Sequence, residues 1–173
     1  MTIRPILIHP EPKLRKKALP VTVVSDQMLK LADDMVETMY EAPGIGLAAP
    51  QVGALVRVIV LDCNHSEDQN LDAIQMFNPE VLFASDEKNT HEEGCLSIPD
   101  QYGEVERPSV VTVRWIDRTG EKEQRTFEGL WAICVQHEID HLNGKLFIDY
   151  LTPLRRQLIT RKMKKLKREK SQE

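Results

Sequence analysis

The stretch Gln136-His137-Glu138-Ile139-Asp140-His141 decides how the rest of the chain is read. Two histidines four residues apart stand one above the other on a helix, so both imidazoles can reach a single metal ion. Glu138 is not needed as a ligand and is placed to handle protons for a water on that metal. The surroundings suit a helix. Leu130, Trp131, Ile133, Cys134, Val135, Ile139 and Leu142 make the segment apolar around most of its surface, the pattern of a helix buried in a core, and Gly144 stands where a terminator belongs. Two satisfied core histidines are the plain alternative, but unpaired buried polar groups are costly, and this residue set fits metal-dependent hydrolysis.

The whole chain sets bounds around that helix. Its 173 residues, 41% of them hydrophobic, suit one domain over 1–173 with a real core. The N-terminal apolar run, Ile6-Leu7-Ile8, is too short for a signal peptide, and no later stretch is long enough to span a bilayer. Three cysteines, Cys63, Cys95 and Cys134, without an export signal point to a reducing cytoplasm and to metal binding before disulfides. The net charge of −4 hides an asymmetry: from Arg155 onward there are nine Lys/Arg against two Glu, so the body is acidic and the tail basic.

Taken in order, residues 1–24 hold four of the ten prolines and read as an extended arm with one short helical turn at 12–17. Ser25 is a good N-cap for a helix to about Glu41, with Met28, Leu31, Ala32, Met35, Val36 and Met39 as its apolar stripe. The segment from Pro43 to Gly53 is a loop of glycine, proline and alanine that another backbone can approach closely, or an ordinary connection; no Gly-Lys-Ser/Thr makes it a phosphate loop. Residues 55–61, 73–77, 80–84, 110–116 and 123–127 read as strands, and 62–70 as a polar loop. Residues 147–151 read as a short strand or extended link. A last helix runs from Pro153 to about Lys170, with Leu154, Leu158, Ile159, Met163 and Leu166 on one face.

A catalytic metal site usually has three protein ligands and an open position, so the third ligand decides the class. One protease pattern continues through Gly144 to a third histidine, but this chain has Phe147 there, which cannot ligate. Another takes a glutamate from a downstream helix, and after His141 the only acids are Asp149, Glu169 and Glu173. Cys134 shares the helical face of His137 and His141, but its short side chain leans away from them and suits a pocket wall better. Cys95, in Glu92-Glu93-Gly94-Cys95-Leu96-Ser97, is the better candidate: a glycine-containing segment can bring its thiolate and nearby N–H groups to a metal, and His₂Cys with an open position is an acceptable catalytic set.

Three stretches, Gly44-Ile45-Gly46-Leu47-Ala48-Ala49-Pro50-Gln51, Glu93-Gly94-Cys95-Leu96-Ser97 and Gln136-His137-Glu138-Ile139-Asp140-His141, together resemble the signature motifs of the peptide deformylase family, in order and at similar spacing. The resemblance implies an α+β fold, with antiparallel sheets packed around a central metal-binding helix and a C-terminal helix. It implies removal of the formyl group from the N-terminal methionine of new proteins. Cys95, His137 and His141 are the implied ligands of one divalent metal: iron(II) in the cell, with nickel, cobalt or zinc as alternatives in the purified protein. Glu138 is the implied proton carrier, and the Gln51 amide and the Leu96 N–H the implied donors to the formyl oxygen.

The same resemblance places a formyl-methionyl peptide beside Gly44, Ile45, Gly46 and Gly94 as an added strand. Ile45, Leu130, Ile133 and Cys134, with the stem of Glu93, line the implied methionine pocket. Asp140 is expected to pair with Arg107 and brace the metal helix. Where some relatives carry arginine after Pro-x-Gln, this chain has Tyr102. The basic tail suits a solvated face or, as in some relatives, docking on the ribosome. Two rival readings stand beside this one: a zinc metallopeptidase cutting internal bonds, and a structural metal module with a basic tail. Neither needs a membrane.

Overall fold

The computed structural model describes residues 1–64 and 71–172. Among these residues three α-helices and seven strands order as α1 (Asp26–Glu41), β1 (Gly46–Ala48), β2 (Val58–Leu61), β3 (Ile74–Ala84), β4 (Lys88–Cys95), β5 (Ile98–Pro108), β6 (Val110–Ile116), β7 (Lys122–Glu128), α2 (Gly129–Leu142) and α3 (Pro153–Lys170). Strands β1, β2, β3, β6 and β7 form one antiparallel sheet in the order β1-β2-β3-β6-β7, and β4 and β5 form a separate two-stranded hairpin. The architecture is the expected α+β arrangement. No helix among the described residues is long and apolar enough to cross a membrane.

Apolar residues of α2 pack on the five-stranded sheet, with Ala132, Val135, Ile139 and Leu142 against Ile59, Met76, Val113 and Phe127. The stripe of α1 buries Leu31, Met35 and Met39 on the β1–β2 side, and the Ser25 hydroxyl caps α1 by accepting from Met28 N. A third cluster joins the hairpin to α3 through Leu14, Val105, Phe147, Ile148 and Met163. Helix α2 therefore lies between the sheet and the hairpin, the one position from which its side chains reach both.

Glycines in the left-handed region bracket α2. Gly129 has φ +58° at its start and Gly144 φ +75° just past its end. At the latter, Lys145 N donates to Asp140 O at 2.9 Å and Gly144 N to His141 O at 3.2 Å, a Schellman closure that satisfies the last carbonyls of α2.

Several sequence expectations need correction. Residues 73–77 and 80–84 are not two strands but parts of β3, whose register slips across Asn78 and Pro79; Asn78 has φ +53°, and its side chain bonds both the N–H and the carbonyl of Val21. Phe147–Tyr150 is a 3-10 turn, not a strand, because the Asp149 carboxylate accepts from Leu146 N at 3.1 Å and folds the segment back. The hairpin of β4 and β5 was not anticipated. Of the predicted polar loop over 62–70, residues 65–70 lie outside the described residues.

The N-terminal arm is pinned along its length. Leu7 N donates to Gln51 O at 2.7 Å, His9 N to Ser97 O at 2.9 Å and Ala18 N to Leu142 O at 2.9 Å. His9 is buried, with Nε2 2.9 Å from the Thr160 hydroxyl of α3. Burial, with Arg15 and more weakly Lys164 and Lys167, brings its pKa down to about 4 against the opposing pull of Asp149.

Two predictions follow from these contacts. Gly129→Ala is expected to cost about 1–2 kcal/mol from backbone conformation alone, since a Cβ there meets nothing within 4 Å. Gly144→Ala should cost more, because its Cβ would sit 2.4 Å from the Arg15 carbonyl oxygen; urea midpoints rank the two. For His9, the unfolded chain takes a proton below pH 6.5 and the folded one only near pH 4. That contribution to stability is complete above 6.5 and is lost as pH falls toward 4. With screening allowed for, the loss between pH 7 and pH 5 is about 1 kcal/mol, and denaturation of His9→Gln should lack it.

Candidate metal centre

Residue spacing explains how the helix presents its two histidines. His137 and His141 lie on the hairpin-facing side of α2, with ring centroids 5.0 Å apart. From the hairpin comes Cys95, the last residue of β4. The ligand atoms of Cys95, His137 and His141 all lie within 4.8 Å of one another, and Cys95 Sγ is 3.4 Å from His141 Nε2. Ordinary bond lengths for a tetrahedral divalent ion separate a sulfur ligand from a nitrogen ligand by about 3.5 Å, so the donor set fits such an ion in both type and spacing. Phe147 fills the place of a third histidine as a packing residue, its ring stacked on His137 at 6.4 Å.

His137 is oriented from behind, whereas the buried Nδ1 of His141 has no partner among the described residues. His137 Nδ1 is 3.0 Å from Glu93 Oε1, which leaves Nε2 toward Cys95. Glu93 is held by Arg107 through two bonds, Nε to Oε2 at 2.6 Å and Nη2 to Oε1 at 2.9 Å, and Arg107 Nη1 donates to Asp140 at 2.9 Å. Tyr150 closes the chain: its hydroxyl donates to Asp140 at 2.7 Å, and its ring carries the Arg107 guanidinium 4.8 Å from the centroid. Burial works against charge on Glu93, yet its bonds to His137 and Arg107 hold its carboxyl below the usual range. Burial also opposes charge on His137, but hydrogen bonds to Cys95 and Glu93 overcome that and raise its pKa. Burial and the neighbouring His137 hold the pKa of His141 well below the usual imidazole range.

Glu138 has a different environment. It is buried, Oε2 has no protein partner, and burial pushes its pKa up to about 7, with Glu93 reinforcing and His137 opposing. A carboxylate so placed can both take and return a proton near neutrality. Gly46 keeps the approach open, since a Cβ there would lie 2.6 Å from Glu138 Oε1 and 2.9 Å from Cys134 Sγ. Gln51 is fixed through its carbonyl, which accepts from Ala48 N at 2.9 Å, so that Nε2 faces Ser97 Oγ at 3.1 Å and Cys95 Sγ at 3.5 Å.

One cavity of about 750 Å³ gathers the predicted substrate residues. Gly44, Ile45 and Gly46 border one side, Glu93, Gly94 and Leu96 the other, and Leu130, Ile133 and Cys134 line it from α2. Ile45 and Leu130 are exposed at the mouth while Ile133 and Cys134 are buried. Glu93 borders this cavity, but its carboxylate turns to Arg107 and His137. Arg107 and Asp140 border a smaller cavity of about 350 Å³ with Tyr150. Tyr102 is exposed at the larger cavity, its ring over Gly94 and its carbonyl accepting from Arg155 of α3 at 2.9 Å. The sequence reading missed Ser97 and Tyr150, and it missed the use of the Glu93 carboxylate. The Glu-Gly-Cys context was a signal for Glu93; nothing in the sequence pointed to Tyr150.

A family profile described as polypeptide deformylase matches residues 3–157. The chain belongs to the peptide deformylase family. A peptide deformylase of Rhizobium meliloti is 50% identical over 165 residues, covering 95% of this chain and 94% of that protein. Among solved structures, a peptide deformylase from Legionella pneumophila has TM-score 0.90 at 44% identity, over 99% of both chains. That of Ehrlichia chaffeensis in complex with actinonin has TM-score 0.91 at 36% identity, over 97% of this chain and 99% of the other. The deformylase likeness thus covers the sheet, the hairpin, α2 and α3 together.

Arg107→Ala removes the partner of two carboxylates. It is expected to lower stability by about 3–5 kcal/mol and metal affinity by about 10–100-fold, measured by denaturation and by chelator competition. Unchanged metal content and stability would remove the bracing role.

Proposed function

We propose that this chain removes the N-formyl group from the N-terminal formyl-methionine of newly made proteins, releasing formate. The observation that carries the proposal is the meeting of Cys95, His137 and His141 beside a buried Glu138, at the end of a cavity with an apolar wall. Membership of the deformylase family supports it.

When bound, a divalent ion acidifies a water and polarises the formyl carbonyl. The chain's own residues do the rest. Glu138 takes the proton of the attacking water and returns it to the departing amine nitrogen. The Gln51 Nε2–H and the Leu96 N–H donate to the formyl oxygen as negative charge gathers on it; one such donor is typically worth ~3 kcal/mol. Gly44, Ile45, Gly46 and Gly94 pair with the peptide main chain, which accepts many sequences. Ile45, Leu130, Ile133 and Cys134 enclose the methionine side chain. Asp140 and Arg107 keep Glu93, and through it His137, in place.

Iron(II) is the proposed ion in the cell, with nickel, cobalt or zinc accepted by the same donor set. Nascent peptides as substrate place the work in the cytoplasm. The mostly exposed cationic side chains of α3 suit docking on the phosphate backbone of the ribosome.

The purified metal-loaded protein should release formate from formyl-Met peptides and leave unformylated ones uncut, which separates it from a metallopeptidase. Glu138→Ala should keep its metal and lose at least about 100-fold in kcat, the scale of general acid–base catalysis. Activity that survives this change, with metal still bound, would sink the proposal and favour a structural metal site.

A further inference from the structure

Two cysteines stand outside the ligand set. Cys134 is buried in α2, in the wall of the large cavity, and its thiol donates to the Ile45 carbonyl at 3.5 Å. The same carbonyl accepts from Asp62 N at 2.9 Å, so the chain just past β2 is delivered to the same point. The next residue is Cys63. It is half-buried, packs against the cluster that contains Cys134, and its thiol neighbours that of Cys134. Both thiols are free; Cys134 lines the proposed methionine pocket, and neither thiol holds the metal or moves a proton in the reaction described above.

We propose that Cys63 and Cys134 form a dithiol modification site, converted to a disulfide by hydroperoxides, at the point where Cys134 lines the large cavity. Cys63 is the more accessible of the two. Its thiolate attacks the peroxide O–O bond, which breaks to give a Cys63 sulfenic acid and, with a proton, one molecule of water or alcohol. The Cys134 sulfur then attacks the Cys63 sulfur. The S–O bond breaks, the S–S bond forms, and the hydroxyl leaves with the Cys134 proton as water. Two thiols are oxidised by two electrons and one peroxide is reduced. The neighbouring Cys63 and burial raise the Cys134 pKa, and burial also keeps Cys134 from meeting the oxidant first.

The bond alters the cavity. Cys134 can no longer donate to Ile45 O, and its sulfur lies 2.9 Å from where a Gly46 Cβ would stand, so the sulfur's movement is felt at the peptide-pairing segment. The expected result is a higher KM for formyl-Met peptides. This consequence rests on the deformylase reading; the disulfide itself does not.

Trypsin places each cysteine on its own peptide, 58–88, 89–114 and 126–145, since Arg107 precedes proline and is not cut. The metal-loaded full chain is treated with hydrogen peroxide, alkylated, and digested without reduction. The expected product is a cross-linked pair of 58–88 and 126–145, lighter than their sum by two hydrogens, removed by dithiothreitol and absent from Cys63→Ser. Both peptides recovered alkylated, with or without oxidation on 89–114, overturn the proposal. So does a Cys63 oxidised further while Cys134 stays alkylated. KM is read on the same samples. A rise in the native chain that Cys63→Ser does not share supports the cavity effect; a disulfide with KM unchanged removes that effect and leaves the modification site standing.

Discussion

Glu93 reaches in two directions from the hairpin, to Arg107 and to His137, and the geometry of the centre depends on that one side chain. Cys95 comes from the hairpin and His137 and His141 from α2, elements that no strand ladder joins. What fixes their separation is the buried ion network Glu93–Arg107–Asp140, which starts on β4, crosses to β5 and ends on α2. Side chains of Glu93 and Arg107 are each only 4% exposed. Taking such charges from water is costly and is repaid only by complete hydrogen bonding. The bidentate Arg107–Glu93 pair, the His137 contact and the Tyr150 hydroxyl supply that bonding.

The helices were legible because their signals are local. A 3.6-residue period, a serine cap, a proline at the first turn and a glycine past the end each act within a few residues, and α1, α2 and α3 follow from them. The hairpin was hidden because β4, Lys88 to Cys95, is mostly exposed and polar and shows no apolar alternation. Its partner β5 alternates with Val105 and Arg107 inward, but the inward arginine disguises the pattern. Phe147 to Tyr150 misled for the opposite reason. Its apolar residues look like a strand, and the local carboxylate of Asp149 folds them into a turn.

The candidate site was legible in its residue types and less so in their bonding. Cys95 could be preferred over Cys134 from reach alone, and the structure puts Cys134 in a cavity wall. Glu93 was read as an apolar stem because spacing says nothing about where a carboxylate finds its partners. Tyr150 depends on a long-range meeting with Asp140 and Arg107 that no periodicity encodes. Gln51 had no evident task within its loop; its orientation comes from the Ala48 N–H three residues earlier and from Ser97 on the hairpin turn.

The split between the five-stranded sheet and the hairpin has a mechanical consequence. The cleft runs along their seam, bordered by the approach to β1 on one side and by the end of β4 on the other. Backbone bonds join the two where β3 runs on toward β4 and β5 into β6, Ser85 N to Val110 O at 2.9 Å and Ser109 N to Glu87 O at 3.0 Å, while no strand ladder among the described residues spans the cleft. Stiffness there is supplied by the proline-rich arm, whose amides fasten Gln51 on one bank and Ser97 on the other. The first ten residues thus tie the two banks of the cleft together, and Ile6 among them lines the cavity.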